Sequence, residues 1–223
     1  PQATHVAVRD GRILSVGTLQ DVSAWGPHTL DTRFADKLLM PGLIEGHSHL
    51  KESSVWDMHY LGWFDRRDPQ GKVWSGLRSM EAVVARLRDT AAAIRAQNLP
   101  AEQPLLGWGF DPIYFGAERM TVEHLDRAEA GRPIVIAHAN GHLMNVNSAT
   151  LRLAGIDRDT DVEGVVKFTS GPRAGEPTGE LQEPAAMYLV LRKFGKAGLL
   201  GPLTGAGIRS FAALGCMQGV TTA

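Results

Sequence analysis

Two histidines with a single residue between them end the apolar run Leu43-Ile44-Glu45-Gly46-His47-Ser48-His49. In extended backbone, residues i and i+2 point to the same side. The rings of His47 and His49 therefore converge, and two converging imidazoles are the first two ligands that a borderline cation such as zinc requires. An arbitrary His-x-His is more often two polar residues where a strand runs out into a loop. Here the preceding Pro41-Gly42 and the apolar approach favour the metal reading. Trp108 and Asp111 follow a second apolar run, and His138, Asn140 and His142 follow a third. A lone histidine is usually a hydrogen-bonded structural residue. Polar clusters repeated after successive apolar runs point instead to a site. Trp108, Phe110, Tyr114 and Phe115 suit an apolar wall, and aromatic packing explains them equally well.

The elements that must position these residues alternate in type. Residues 5–17 read as a β-hairpin around Asp10-Gly11, a dipeptide suited to a two-residue turn with positive φ. A further short strand is expected at 29–34. Ser79 caps a helix expected to reach about residue 98, with Val83, Val84, Leu87, Ala91 and Ile94 on one stripe and Pro100 just beyond. Buried strands are expected at 104–110 and 133–138, helices at 121–130, 148–154, 181–194 and 202–214, and a final strand at 220–222. Buried strands alternating with amphipathic helices predict an α/β fold with parallel βα units, a (β/α)8 barrel or a doubly wound sheet. In the barrel case, active sites lie at the C-terminal ends of the strands. The three polar clusters then end the first, second and third strands. The expected organisation is a small β module over 1–39, then the first half of a barrel over 40–223.

Composition narrows the function classes. The 223 residues are 43% hydrophobic and 21% charged, with a net charge of −1 and intermixed signs. No basic stripe suggests nucleic acid, and no apolar run approaches the ~18–20 residues that span a bilayer. The expected partner is a small molecule, with no nucleic acid and no membrane; a homo-oligomer stays open. The one cysteine, Cys216, excludes an internal disulfide and fits a cytoplasmic location. The chain starts abruptly at Pro1 and stops in strand-like sequence, so a fragment of a longer protein is expected.

Four motifs carry a family resemblance. They are Met40-Pro41-Gly42-Leu43-Ile44-Glu45-Gly46-His47-Ser48-His49-Leu50, Gly107-Trp108-Gly109-Phe110-Asp111, Arg132-Pro133-Ile134 through Gly141-His142 to Asn147-Ser148-Ala149, and Pro177-Thr178-Gly179-Glu180-Leu181-Gln182-Glu183. In this order the chain resembles the amidohydrolase superfamily, in the branch called amidohydrolase family 3. The resemblance implies a metal-dependent hydrolase with a (β/α)8 TIM-type barrel and a small β-sandwich. It implies that His47 and His49 are metal ligands and that Glu183 is the acid bridging two metals, with Glu180 as the competitor on the same helical face. His142 matches a position near the substrate, where it can donate to a carbonyl oxygen. Trp108, Asp111 and His138 are the expected substrate pocket. Glu45 stands where the family usually has aspartate.

The implied chemistry is hydrolysis of a C–N bond in an amide, carbamate or cyclic amide by a metal-activated water. The expected cofactor is a divalent metal, with zinc first, as one or two ions. The family's later histidines and aspartate have no counterpart, since no His, Asp or Glu follows Glu183. These 223 residues alone are therefore expected to be inactive. Two alternatives remain: a deaminase of the same superfamily, and a non-catalytic binding protein with a degenerate metal site.

Overall fold

The computed structural model describes residues 3–116, 118–195 and 203–223. They fall into two compact units, 1–42 and 43–223. In the first, β1 (His5–Arg9) and β2 (Arg12–Gly17) pair antiparallel. Asp10 and Gly11 between them both have positive φ, 51° and 72°, as the turn requires. A short helix α1 (Leu19–Ser23) follows, with Thr18 and Asp21 capping each other's backbone. The strand expected at 29–34 does not form. Asp31 instead accepts hydrogen bonds from the Arg33 backbone and guanidinium, a local turn that competes with extended pairing.

The second unit runs β3 (Leu43–Ile44), a 3₁₀ helix (Leu50–Asp57), β4 (His59–Tyr60), β5 (Arg66–Arg67), β6 (Val73–Trp74), α2 (Met80–Ala96), β7 (Leu105–Phe110), α3 (Val122–Ala128), β8 (Ile134–His138), β9 (Leu143–Val146), α4 (Ser148–Ala154), β10 (Val165–Lys167), β11 (Pro177–Gln182), α5 (Glu183–Leu191), α6 (Gly205–Met217) and β12 (Val220–Thr222). Helix α2 starts at the Ser79 cap and buries Val83, Val84, Leu87 and Ala91 against Leu105, Phe110, Ile134 and Ile136. On the other side of the sheet, Val135, Met144, Val146 and Leu181 pack with Leu151 and Val190.

The sheet topology corrects the expected order of strands. β4, β7 and β8 are parallel neighbours, but β8 pairs antiparallel with β9, and β9 with β11. They form one six-stranded mixed sheet ordered β10-β11-β9-β8-β7-β4. β3, the strand that leads to the histidine pair, lies outside it and pairs in parallel with β12. The runs at 105–110 and 134–138 are strands, yet they are not the sequential neighbours of β3 in one parallel sheet. The physical reason is loop length. A parallel return needs a crossover of about a dozen residues or more, whereas β9 begins five residues after His138, around Gly141 at φ 74°.

The helix expected at 181–194 is also corrected. Residues Pro177–Gln182 form β11, with Glu180 opposite Asn145 and Leu181 opposite Met144. The helix starts only at Glu183, with Pro184 in its first turn. Of the helix expected at 202–214, residue 202 lies outside the described residues, and α6 forms from Gly205.

Candidate functional site

β3 is held by β12 through the Leu43 N–H on Gly219 O and the Glu45 N–H on Thr222 O, both 2.9 Å. Beyond this ladder the backbone bends at Gly46 and His47 and is extended again at His49, with φ −111°, ψ 97°. The two rings converge as the spacing requires. His47 Nε2 and His49 Nε2 are 3.0 Å apart, with the rings edge to face. Two imidazole nitrogens ~2.0–2.1 Å from one tetrahedral zinc would stand about 3.3 Å apart, so the pair fits one cation. Behind it, Glu52 Oε1 lies 2.6 Å from His49 Nδ1. That contact places the Nδ1 proton toward the carboxylate and frees Nε2, the arrangement typical of metal-binding histidine. Glu52 was not singled out from sequence. Its signal is the i, i+3 spacing from His49, which a 3₁₀ helix brings onto one side. Glu45 acts differently: its Oε1 accepts the His47 backbone N–H at 2.9 Å, which fixes the loop rather than a ring.

Glu183 lies elsewhere. Its carboxylate meets His142 Nδ1 at 3.1 Å, and its N–H donates to His142 O at 2.9 Å. Glu183 has φ 63°, a conformation that costs a non-glycine residue about 1 kcal/mol or more and clusters at functional positions. Among the described residues, no three His, Cys, Asp or Glu side chains come together as a metal cluster. The structure thus joins His47 with His49, and His142 with Glu183, as two pairs.

Glu180 is not on a helix beside Glu183. It is a buried β11 residue, 4% exposed, whose carboxylate is taken by the Arg119 guanidinium and by Gln182 Nε2 at 2.7 Å. Its carboxylate is therefore engaged in a buried ion pair with Arg119.

His49 and Glu52 share a cavity of about 1630 Å³ with Trp108, Asp111 and His138, the three expected pocket residues. Asp111 also caps the turn after β7, accepting the Ile113 N–H at 3.1 Å. His138 is buried at the end of β8. Asn145 gives its Nδ2 protons to Met120 O, so its Oδ1 accepts from His138 Nε2 at 2.5 Å. His138 Nδ1 is left as a buried acceptor without a partner. Burial lowers the His138 pKa, and the Asn145 contact opposes that only in part. Burial thus disfavours the charged form of His138. The wall beside Trp108 is aromatic: Trp56 and Tyr60 lie 5.0 and 5.1 Å from its ring, and Trp63 stacks on Tyr114 at 5.7 Å.

The fold and site define an α/β protein with a convergent histidine pair beyond a strand end, opening on an aromatic cavity. Residues 35–213 match the amidohydrolase family, and the chain belongs to that family, in its family 3 branch. Protein LONG AFTER FAR-RED 3 of Arabidopsis thaliana is 28% identical over 193 residues, which are 85% of this chain and 30% of that protein. The putative amidohydrolase YtcJ of Bacillus subtilis is 29% identical over 186 residues, 81% of this chain and 31% of that one. A solved, uncharacterized metal-dependent hydrolase from Pyrococcus horikoshii aligns at a TM-score of 0.46 and 18% identity, over 97% of this chain and 38% of its own. The chain therefore spans just under a third of the length of these two curated relatives. Among the described residues, no helix is long and apolar enough to cross a membrane.

Proposed function

We propose that this chain supplies part of the active site of a metal-dependent hydrolase that cleaves a C–N bond in a small amide, carbamate or cyclic amide. The observation that carries the reading is the 3.0 Å approach of His47 Nε2 to His49 Nε2, with Glu52 behind His49. In this reading β3 and β12 are neighbouring strands of a (β/α)8 barrel, the mixed sheet is inserted between them, and the β1–β2 hairpin belongs to a small β-sandwich. His47 and His49 hold a divalent cation, with zinc first among those that imidazole suits. Bound there, the metal supplies a Lewis acid that polarises a carbonyl and brings ionisation of a water near neutral pH. Glu52 holds the His49 tautomer, and Glu45 holds the loop. Glu183 accepts the Nδ1 proton of His142, which leaves Nε2 free to take up a proton and return it to the leaving nitrogen. Trp108, Asp111 and His138 shape the substrate wall.

A deaminase is the second reading. It is favoured by Glu183 turning to His142, because a bridging acid between two metals is what those relatives dispense with. Metal content of the full-length protein tests both. About two ions per chain support a hydrolase in which Glu183 leaves His142 to bridge the metals, and one ion supports the deaminase. His47→Ala and His49→Ala are each expected to lose metal and activity. Metal and activity unchanged in both variants would sink the metal-site reading and leave a binding protein.

A further inference from the structure

The four asparagines of the chain differ in what surrounds their side-chain amides. Asn145 and Asn147 are 1% and 0% exposed, and both amides are fully used. Asn145 meets His138 Nε2 and Met120 O, and Asn147 meets the N–H groups of Ile134 and Thr150 and the carbonyls of Glu129 and Arg132. Asn98 is exposed but precedes Leu99, whose side chain crowds the next backbone nitrogen. Asn140 is exposed and precedes Gly141, in the turn that joins β8 to β9. A Cβ at Gly141 would meet nothing within 4 Å, so no bulk shields that side of the backbone. Asn140 Oδ1 accepts the His142 N–H at 2.9 Å, a turn that folds the side chain over the Gly141 amide. Among the described residues, Asn140 Nδ2 makes no hydrogen bond. The Gly141 N–H donates to His138 O at 3.1 Å, at the long end for such a bond. Asn140 and Gly141 line the cavity beside His138. An amide carbon with a donor already on its oxygen, an unshielded nitrogen next in the chain and a leaving group that nothing retains are the parts of a cyclisation.

We propose that Asn140 is a site of spontaneous deamidation, which puts a carboxylate on the cavity wall. The Gly141 nitrogen attacks Asn140 Cγ and gives up its proton to solvent. The His142 N–H stabilises the negative charge that gathers on Oδ1. The Cγ–Nδ2 bond then breaks, ammonia leaves with a proton from water, and a five-membered imide joins the two residues. Water reopens that ring in one of two ways. Attack at Cγ gives aspartate on the original backbone. Attack at the backbone carbonyl gives isoaspartate, which adds one carbon to the main chain. The balance is water in and ammonia out, with no oxidant or reductant. The added carbon falls between His138 and His142, and His142 holds Glu183 through both its Nδ1 at 3.1 Å and its carbonyl oxygen at 2.9 Å. Isoaspartate therefore disturbs that pair, whereas aspartate keeps the backbone and adds charge beside it. The modification does not rest on the hydrolase reading, since only the chain and water take part.

The test is peptide mapping by mass spectrometry on the folded full-length protein, aged in mildly alkaline buffer. An oxyanion donor worth ~100-fold in an enclosed site and less in an exposed turn, together with the unshielded Gly141 nitrogen, predicts that Asn140 converts at least about 10-fold faster than Asn98. Asn145 and Asn147 should stay intact. The Asn140 peptide should yield two products of equal mass, and an isoaspartyl methyltransferase should label one of them. Asn140→Gln would have to close a six-membered ring, so this exposed substitution should remove both the conversion and the label. Asn140→Asp supplies the reference for the unlabelled product. Conversion at Asn98 as fast as at Asn140, conversion of Asn140 only after unfolding in urea, or a label on this peptide that survives Asn140→Gln would each overturn the assignment.

Discussion

Replacing Glu52 tests whether the histidine pair is built for a metal or is only two polar residues in a loop. The Glu52 contact with His49 Nδ1 is 2.6 Å, with side chains 58% and 63% exposed. Exposure keeps the direct electrostatic contribution small, about 1 kcal/mol at most. The carboxylate does more than attract. It selects the tautomer whose Nε2 lone pair faces His47, and loss of such a partner typically costs ~10–100-fold in metal affinity. An open pair belongs at the lower end, so Glu52→Ala should weaken zinc binding about 10-fold, which is ~1.4 kcal/mol. Glu52→Gln retains an oxygen that accepts the Nδ1 proton and should lose only about 3-fold. Glu45→Gln touches the loop through the His47 N–H and should leave affinity within about 2-fold. The assay is competition for zinc against a chromogenic chelator, with the full-length protein. An affinity unmoved by Glu52→Ala, beside one abolished by His49→Ala, would refute the tautomer argument and leave Glu52 as a surface contact.

Three further outcomes are expected. Arg119→Ala leaves the Glu180 carboxylate buried with only Gln182 and should destabilise the chain by about 2–3 kcal/mol, less than a fully buried pair because Arg119 is half-exposed; urea denaturation measures it. Phe110→Ala removes a fully buried ring from the core beneath α2 and should cost about 3–5 kcal/mol by the same measurement. His138 has a folded pKa below its ordinary value of 6.5, so the unfolded chain takes up a proton first as pH falls. The stability from its neutral form is complete above pH 6.5 and is lost as pH falls from there through the lower folded pKa. His138→Gln should flatten that loss in part, since His59, whose pKa burial also lowers, contributes with the same sign. An unchanged slope of urea midpoint against pH would show that His138 does not titrate this way.

What the sequence disclosed follows how local the cause is. The convergence of His47 and His49 needs only extended backbone, and the rings meet although the residues lie past the end of β3. Ser79, the α2 stripe and the Asp10-Gly11 turn are equally local, and all three form. Strand partnership is not local. The runs at 105–110 and 134–138 read as barrel strands because an apolar run looks alike in any buried sheet. The short return to β9 argues against a parallel crossover, and it is visible in sequence as the four residues between His138 and Leu143. Glu180 and Glu183 are three residues apart, a spacing that on one helix would put them on the same face. The junction between strand and helix falls between them, so one is buried with Arg119 and the other meets His142.

The 3₁₀ helix Leu50–Asp57 couples the two ends of the cavity. Eight residues is long for this helix type, whose hydrogen bonds are poorly aligned beyond one turn. Something outside the helix must therefore hold it. Ser53 does so, with its hydroxyl, which carries a single proton, within 2.7 Å of both Leu50 O and Gly207 O on α6. On one side of that anchor Glu52 reaches back to His49. On the other, Trp56 packs edge-on against the Trp108 ring. The residue that sets the His49 tautomer and the residue that backs the aromatic wall thus ride on one short element with one buried tether. α6 leads directly into β12, which in turn pairs with the strand before the histidines. Releasing the tether would loosen the histidine pair and the aromatic wall together, so the two act as one site even though the strands behind them belong to different sheets.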